Sequence, residues 1–97
     1  MRVIAKKTLR EFWETHGDAE EALKAWYQDA KNADWKNPSD IKKIYANASI
    51  IANNRVVFNI RGNNYRLVVA INYDFSIVYI RFVGTHKEYD RIDAETV

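Results

Sequence analysis

The 97 residues of this chain are enough for one small domain with a single hydrophobic core. Cysteine is absent, which excludes a disulfide framework and any metal site built from thiolates. The formal net charge of +2 is too small to indicate a nucleic-acid partner by itself. Residues 1–49 carry nine basic and eight acidic side chains, whereas residues 50–91 carry six and three, so we expect the anion-facing surface in the second half.

The beginning of the chain does not have the pattern of a secretory signal, because charged residues follow Met1–Ile4 at once. The apolar runs are also far shorter than the roughly 20 residues that a membrane-spanning helix needs. These features predict a cytoplasmic protein that does not enter a membrane.

The first half of the chain predicts two helices. Residues 6–16 have apolar side chains at helical spacing and are followed by Gly17 as a stop. Asp18, with Glu21 at capping-box distance, predicts the N-cap of a second helix that ends near Asn32. So short a link predicts a helical hairpin, whose apolar side can cover one face of a sheet.

Short elements surround this hairpin. Residues 1–4 predict an edge strand, residues 40–45 a helical turn, and residues 48–52 a strand that enters the sheet. Residues 92–97 have no pattern of their own and are predicted to fray.

Residues 55–91 predict three antiparallel strands with a common apolar face. Turns are expected at Gly62-Asn63 and near Tyr73–Ser76. The alternation assigns these side chains to the apolar face: Val56, Phe58, Ile60, Tyr65, Leu67, Val69, Ile71, Val78, Ile80 and Phe82. It assigns these to the reverse face: Asn59, Arg61, Asn64, Arg66, Tyr79, Arg81 and Val83. The prediction is therefore an α+β fold, an antiparallel sheet with an N-terminal helical hairpin packed on one face.

The reverse face is a candidate anion-binding surface. If the second turn is tight, Val83 lies opposite Arg66, and the segment 84–89 leaves the sheet beside the arginines. This segment carries His86, Lys87 and Tyr89. A histidine, a lysine, a tyrosine and at least two arginines, with no carboxylate base among them, suit a phosphate ligand.

Each of these residues also has a purely structural interpretation. Arg66 could form a salt bridge, and Arg61 and Arg81 could be exposed strand charges. His86 could be a surface or capping residue, and Tyr89 could pack in the core. Their expected proximity favours function, because histidine moves protons near neutral pH and tyrosine can stack on an unstacked base. The two histidines and the scattered carboxylates lack metal-ligand spacing, so no metal or other cofactor is predicted.

The strings VFNIRGNNYRLV and VGTHKEYD resemble the signature of HigB toxins, ribosome-dependent mRNA endonucleases of the RelE superfamily. The resemblance covers essentially the whole chain, residues 1–97, as one domain, and THKEYD is its more specific part. It implies a RelE-like fold and the toxin of a type II toxin–antitoxin pair. It also implies metal-independent cleavage of mRNA at codons held in the ribosomal A site, by attack of the 2′-hydroxyl. The implied partner is a HigA-type helix-turn-helix antitoxin.

The resemblance suggests a role for each candidate residue. Arg66 and Lys87 would stabilise charge, His86 would act as general acid or base, and Tyr89 would stack or assist proton transfer. Three further residues, which the strand alternation assigns to the reverse face, would hold flanking phosphates: Arg61, Asn64 and Arg81. Two other interpretations stay open, a non-catalytic RNA- or protein-binding module with the same basic sheet face, and a toxin inactivated by substitution but retained for complex formation.

Overall fold

The computed structural model describes residues 1–97, which form four α-helices, one 3-10 turn and a five-stranded sheet. The helices are α1 (Lys6–Thr15), α2 (Glu20–Asn32), α3 (Pro38–Ile44) and α4 (His86–Tyr89). The strands are β1 (Arg2–Ile4), β2 (Ser49–Ile51), β3 (Arg55–Ile60), β4 (Tyr65–Asn72) and β5 (Ile77–Thr85), in the spatial order β1-β5-β4-β3-β2. The predicted α+β class is confirmed. The sheet is mixed rather than wholly antiparallel, because β1 runs parallel to β5.

The helical hairpin forms as predicted, with the 3-10 turn Gly17–Ala19 between α1 and α2. The predicted cap at Asp18 is wrong, because α2 has Ala19 at its N-cap position and no side-chain cap. The Asp18 carboxylate instead accepts hydrogen bonds from the Arg61 guanidinium, at 3.0 Å, and from the Tyr65 hydroxyl. One charged donor from the β3–β4 turn and one hydroxyl from β4 thus replace the local backbone N–H as its partners.

The hydrophobic core lies between the helices and one face of the sheet. Trp26 of α2 is fully buried and meets Phe58 of β3 edge to face, with 5.4 Å between ring centroids. Alternate strand positions supply the sheet side of the core: Val56, Phe58, Ile60, Leu67, Val69, Ile71 and Val78. The prediction that a helical hairpin covers an apolar sheet face is therefore confirmed. No helix combines the length and the apolar character that a membrane crossing requires.

A β-bulge interrupts the pairing of β4 with β5. Val68 pairs with Phe82 and the next residue, Val69, pairs with Ile80, so Arg81 has no partner in β4. One extra residue in a strand shifts the two-residue alternation of its side chains beyond that point.

The bulge exchanges the predicted faces of two side chains. Phe82 shares the reverse face with its partner Val68, whereas Val83 lies opposite Leu67 and packs against the core. The predicted assignment of Phe82 to the apolar face and of Val83 to the reverse face is therefore wrong. For the same reason Gly84, not Val83, lies opposite Arg66.

The segment 92–97 is hydrogen-bonded to the sheet rather than frayed. Arg55 Nη2 and Arg81 Nε both donate to the carbonyl oxygen of Val97, at 2.9 and 3.0 Å. The Asn53 amide donates to the carbonyl of Glu95 at 3.0 Å. Two arginines of the reverse face thus hold the last residues, which corrects the prediction of a loose end.

Candidate functional site

The candidate site lies where the β3–β4 turn meets α4. The turn spans residues 61–64, and its Asn64 carbonyl accepts a hydrogen bond from the backbone N–H of His86 at 3.3 Å. Because α4 follows β5 directly, this bond places the first residue of α4 against the turn. The two strings that resemble HigB toxins, VFNIRGNNYRLV and VGTHKEYD, therefore meet in space at this hydrogen bond.

Arg66 is the half-buried cation of this site. In the sheet it lies between Asn59 of β3 and Gly84 of β5, and the glycine places no side chain beside it. Its guanidinium donates to the carbonyls of Asn63, at 3.1 Å, and Tyr65, at 3.3 Å, but forms no salt bridge. The interpretation of Arg66 as one half of a structural salt bridge is therefore wrong, and its charge is open to an external anion.

Two aromatic rings accompany Arg66. The Tyr89 ring centroid lies 6.0 Å from Arg66 Cζ, within the range of cation–π attraction, and 6.5 Å from the Phe82 ring centroid. Phe82 reaches this face only through the bulge, which nothing in the strand alternation signals. The rings and the guanidinium together form a surface that suits an unstacked base next to its phosphate.

His86 is paired with a carboxylate. Its Nδ1 lies 3.3 Å from Asp90 Oδ2, and both side chains are exposed. The prediction of a site without a carboxylate near the histidine is therefore wrong. The spacing of four residues between His86 and Asp90 could have indicated this pair, because residues i and i+4 of a helix are neighbours. A carboxylate at Nδ1 selects the tautomer with the proton on Nδ1, which leaves Nε2 free to exchange a proton with a substrate.

Lys87 and Asn64 are exposed at the edges of the site. Neither side chain forms a hydrogen bond or a salt bridge within the protein, although the Asn64 backbone carbonyl holds His86. Both side chains are therefore available to a ligand without first losing a protein partner.

Arg61 and Arg81 are not part of this cluster. Arg61 has a positive φ of 51° in the turn, and its guanidinium binds Asp18 of the helical layer. Its predicted place on one face with Arg66 is wrong, because a left-handed turn residue leaves the alternation of the strand. Arg81 lies on the predicted face but donates to the carbonyl of Val97. No group of three or more histidine, aspartate or glutamate side chains is arranged to hold a metal ion.

Comparison with known proteins adds the family. A family model described as HigB_toxin, RelE-like toxic component of a toxin-antitoxin system, matches residues 19–92. This chain belongs to the HigB toxin family. It is 29% identical over 92 residues to the mRNA interferase toxin HigB of Escherichia coli strain K12, covering 93% of this chain and 88% of that protein. The mRNA interferase HigB of Shigella flexneri gives the same values. That of Escherichia coli O6:H1 is 24% identical over 94 residues, covering 95% of this chain and 91% of that protein.

The helix α4, which lies within the range matched to the HigB family, is held by a capping box. Thr85 Oγ1 accepts from the Glu88 N–H at 3.1 Å, and the Glu88 carboxylate accepts from the Thr85 N–H at 2.8 Å. The hydrogen bonds from Thr85 lower the pKa of Glu88 below its ordinary value of 4.5. The contribution of the ionised carboxylate to stability is therefore complete above about pH 4.5 and is lost as the pH falls through the lowered pKa.

In this HigB-family chain we expect Thr85→Val to lower the free energy of unfolding by about 1 kcal/mol, because the Glu88 N–H loses its acceptor. Thr85→Ser keeps the hydroxyl and should stay close to the wild type. Urea denaturation of the three proteins measures the difference. Equal midpoints for the valine and serine variants would show that the capping box does not stabilise α4.

Proposed function

We propose that this chain is the toxin of a type II toxin–antitoxin pair and an endoribonuclease that cleaves mRNA on the ribosome. The observation that carries the proposal is Arg66, a half-buried guanidinium without a carboxylate partner, whose Cζ lies 6.0 Å from the Tyr89 ring centroid, beside the turn whose Asn64 carbonyl holds His86. Membership of the HigB family supports it, as do the relatives named mRNA interferase.

The chemistry asked of these residues is modest, because RNA carries its own nucleophile. The 2′-hydroxyl oxygen attacks the adjacent phosphorus, and the bond from phosphorus to the 5′-oxygen breaks. One group must accept the proton of the hydroxyl, another must protonate the leaving oxygen, and a cation must stabilise the charge on the phosphorane. Arg66 is the cation best placed to do so, and Lys87 supplies a second charge.

His86 is the residue that we assign to proton transfer, as general acid or base. Asp90 would act through it as a positioning residue, since its carboxylate at Nδ1 keeps Nε2 for the substrate. Tyr89 would support an unstacked base or assist proton transfer. The whole scheme uses only side chains of the protein and no metal ion.

Flanking phosphates would be held at the periphery. Asn64 is free to do this directly. Arg61 would first have to exchange Asp18 for a phosphate, and Arg81 would have to exchange the Val97 carbonyl. The assignment of these three residues to RNA binding rests on their positions around the β3–β4 turn and β5.

The implied partners follow from this activity. We propose that residues 1–97 act as one domain in the cytoplasm, where the ribosome holds the mRNA and supplies part of its orientation. A HigA-type helix-turn-helix antitoxin would neutralise the toxin. The exposed, shallow arrangement of His86 and Lys87 fits an enzyme that relies on a second macromolecule to position its substrate.

The chemical nature of the products tests the scheme. Cleavage by the 2′-hydroxyl should leave a 2′,3′-cyclic phosphate or a 3′-phosphate on the upstream fragment and a 5′-hydroxyl on the downstream one. Mass spectrometry of fragments from a reconstituted translation complex distinguishes these ends. A 3′-hydroxyl with a 5′-phosphate would instead indicate hydrolysis by activated water and would overturn the scheme. Ribosome binding without any cleavage would favour a binding module or an inactivated toxin.

A further inference from the structure

A second feature of the β3–β4 turn is a cleft of about 510 Å³ on its β2 side, whereas α4 lies on its β5 side. The cleft exists because the pairing of β2 with β3 stops at Ser49 and Val57. Before Ser49 the chain turns away from the sheet, so the edge of β3 beyond Val57 has no neighbouring strand. The gap is lined by the loop of residues 44–48, by Phe58 and Asn59 near the end of β3, and by Gly62 and Asn63 of the turn.

The outer wall of the cleft is held in place by hydrogen bonds. Lys42 Nζ donates to the carbonyls of Ala46, at 2.6 Å, and Ala48, at 2.7 Å. The Ala48 N–H donates to the carbonyl of Tyr45 at 3.0 Å, and the Tyr45 hydroxyl binds Asp29 of α2. The cleft is therefore formed before any ligand arrives, and a ligand would not have to order this loop.

The lining has the chemistry of a site for a neutral, planar, polar ring. No lining residue is charged. Three of them are asparagines, Asn47, Asn59 and Asn63, and none of their side-chain amides is hydrogen-bonded within the protein. Each amide offers both donors and an acceptor, as the edge of a nucleobase does, and the exposed Ile44 and half-buried Tyr45 side chains supply apolar surface.

The cleft is continuous with the proposed phosphate site. Asn59 is the cross-strand neighbour of Arg66, and cross-strand partners point to the same face of a sheet. The Arg66 guanidinium also donates to the carbonyl of Asn63 at 3.1 Å. An RNA strand with a phosphate on Arg66 would therefore have its neighbouring nucleotide at the mouth of the cleft.

We propose that this cleft binds the nucleobase next to the cleaved phosphate, and that the three amides distinguish one base from another by hydrogen bonds to its edge. The proposal rests on the proposed function and adds to it a subsite that sets nucleotide preference. It assigns a role to Asn47, Asn59 and Asn63 that the phosphate-binding scheme does not use.

The test is a set of ribosome complexes programmed with mRNAs that differ only in the nucleotides flanking the cleaved bond. Wild-type protein should cleave at rates that depend on one of these nucleotides. Asn59→Ala and Asn63→Ala should each reduce the ratio between the best and worst nucleotide by about tenfold. Asn32→Ala, at an exposed asparagine at the end of α2, is the matched control and should keep the ratio. Thermal unfolding of each variant confirms that it is folded.

Each outcome of these measurements either supports or contradicts the nucleobase subsite. Unchanged nucleotide preference in folded Asn59→Ala and Asn63→Ala proteins would overturn the subsite, as would an equal loss of rate for every nucleotide. Loss of antitoxin binding with intact preference would identify the cleft as a protein-docking site and also overturn it. A wild-type protein that cleaves no mRNA would refute the proposed function, and the subsite with it. A photoreactive 4-thiouridine at the selected nucleotide should crosslink to residues 44–48, and a crosslink only elsewhere would contradict the proposal.

Discussion

His86→Ala is expected to lower the rate of mRNA cleavage within the toxin–ribosome complex by about 10²–10⁴-fold, with little change in affinity. The reason is that a proton-transfer group contributes mainly in the transition state. His86 is exposed, and its ring holds only Asp90, so the substitution should not unfold the domain. Single-turnover cleavage at saturating toxin measures the rate in the bound state, and its concentration dependence measures the affinity.

Arg81→Ala is the contrasting variant. Arg81 is proposed to hold a phosphate, so its loss should weaken binding and reduce the dependence of binding on salt, while the saturated rate stays nearly constant. The assignment of His86 to proton transfer fails if His86→Ala changes only the affinity. Tyr89 and Lys87 would then be the next candidates.

Asp90→Asn is a further probe of the same pair. An asparagine can present either its carbonyl oxygen or its N–H to the His86 Nδ1, so it no longer selects one tautomer of the ring. The cleavage rate of the bound complex should therefore fall, with little change in affinity, and the fall should disappear when His86 is also replaced by alanine. An equal loss of rate in the His86→Ala background would show that Asp90 does not act through the histidine.

Arg66→Ala should abolish growth arrest when the protein is induced, and should lower the bound-state cleavage rate by about 10²–10³-fold. Its guanidinium is the only half-buried cation beside the Tyr89 ring, and no other side chain of the site can replace its two-pronged contact with a phosphate. Arg66→Lys keeps the charge without the planar fork and should recover only part of the rate.

Arg10→Ala is the matched control, because Arg10 is an exposed arginine of α1 that makes no salt bridge or side-chain hydrogen bond. It should remain fully toxic. Purified Arg66→Ala protein must show cooperative unfolding near the wild-type midpoint for the comparison to hold. A folded Arg66→Ala protein that still arrests growth would remove Arg66 from the mechanism.

The elements that sequence patterns predict well here are those with a strong period. The apolar spacing of α1 and α2 and the alternation in β3 and β4 predict the helical hairpin, the buried face and the common face of Asn59 and Arg66. These patterns work because one face of each element must be buried, and burial fixes which residues lie there.

The departures come from features that leave no period in the sequence. The bulge at Arg81 turns Phe82 toward the site, and the left-handed conformation of Arg61 sends its side chain to Asp18. The parallel pairing of β1 with β5 depends on a partner 75 residues away in the chain, since Arg2 pairs with Ile77. Tertiary contacts decide all three, and local alternation does not report them.

The bulge also determines where the length of β5 can change. Arg81 is one residue more than the β4–β5 ladder needs, and its neighbours Ile80 and Phe82 already face opposite sides, as consecutive residues of an unbroken strand do. Deleting position 81 would therefore straighten the strand and keep every other side chain on its present face. A deletion elsewhere in β5 would turn part of the strand over. A variant without residue 81 would thus keep an aromatic ring beside Tyr89.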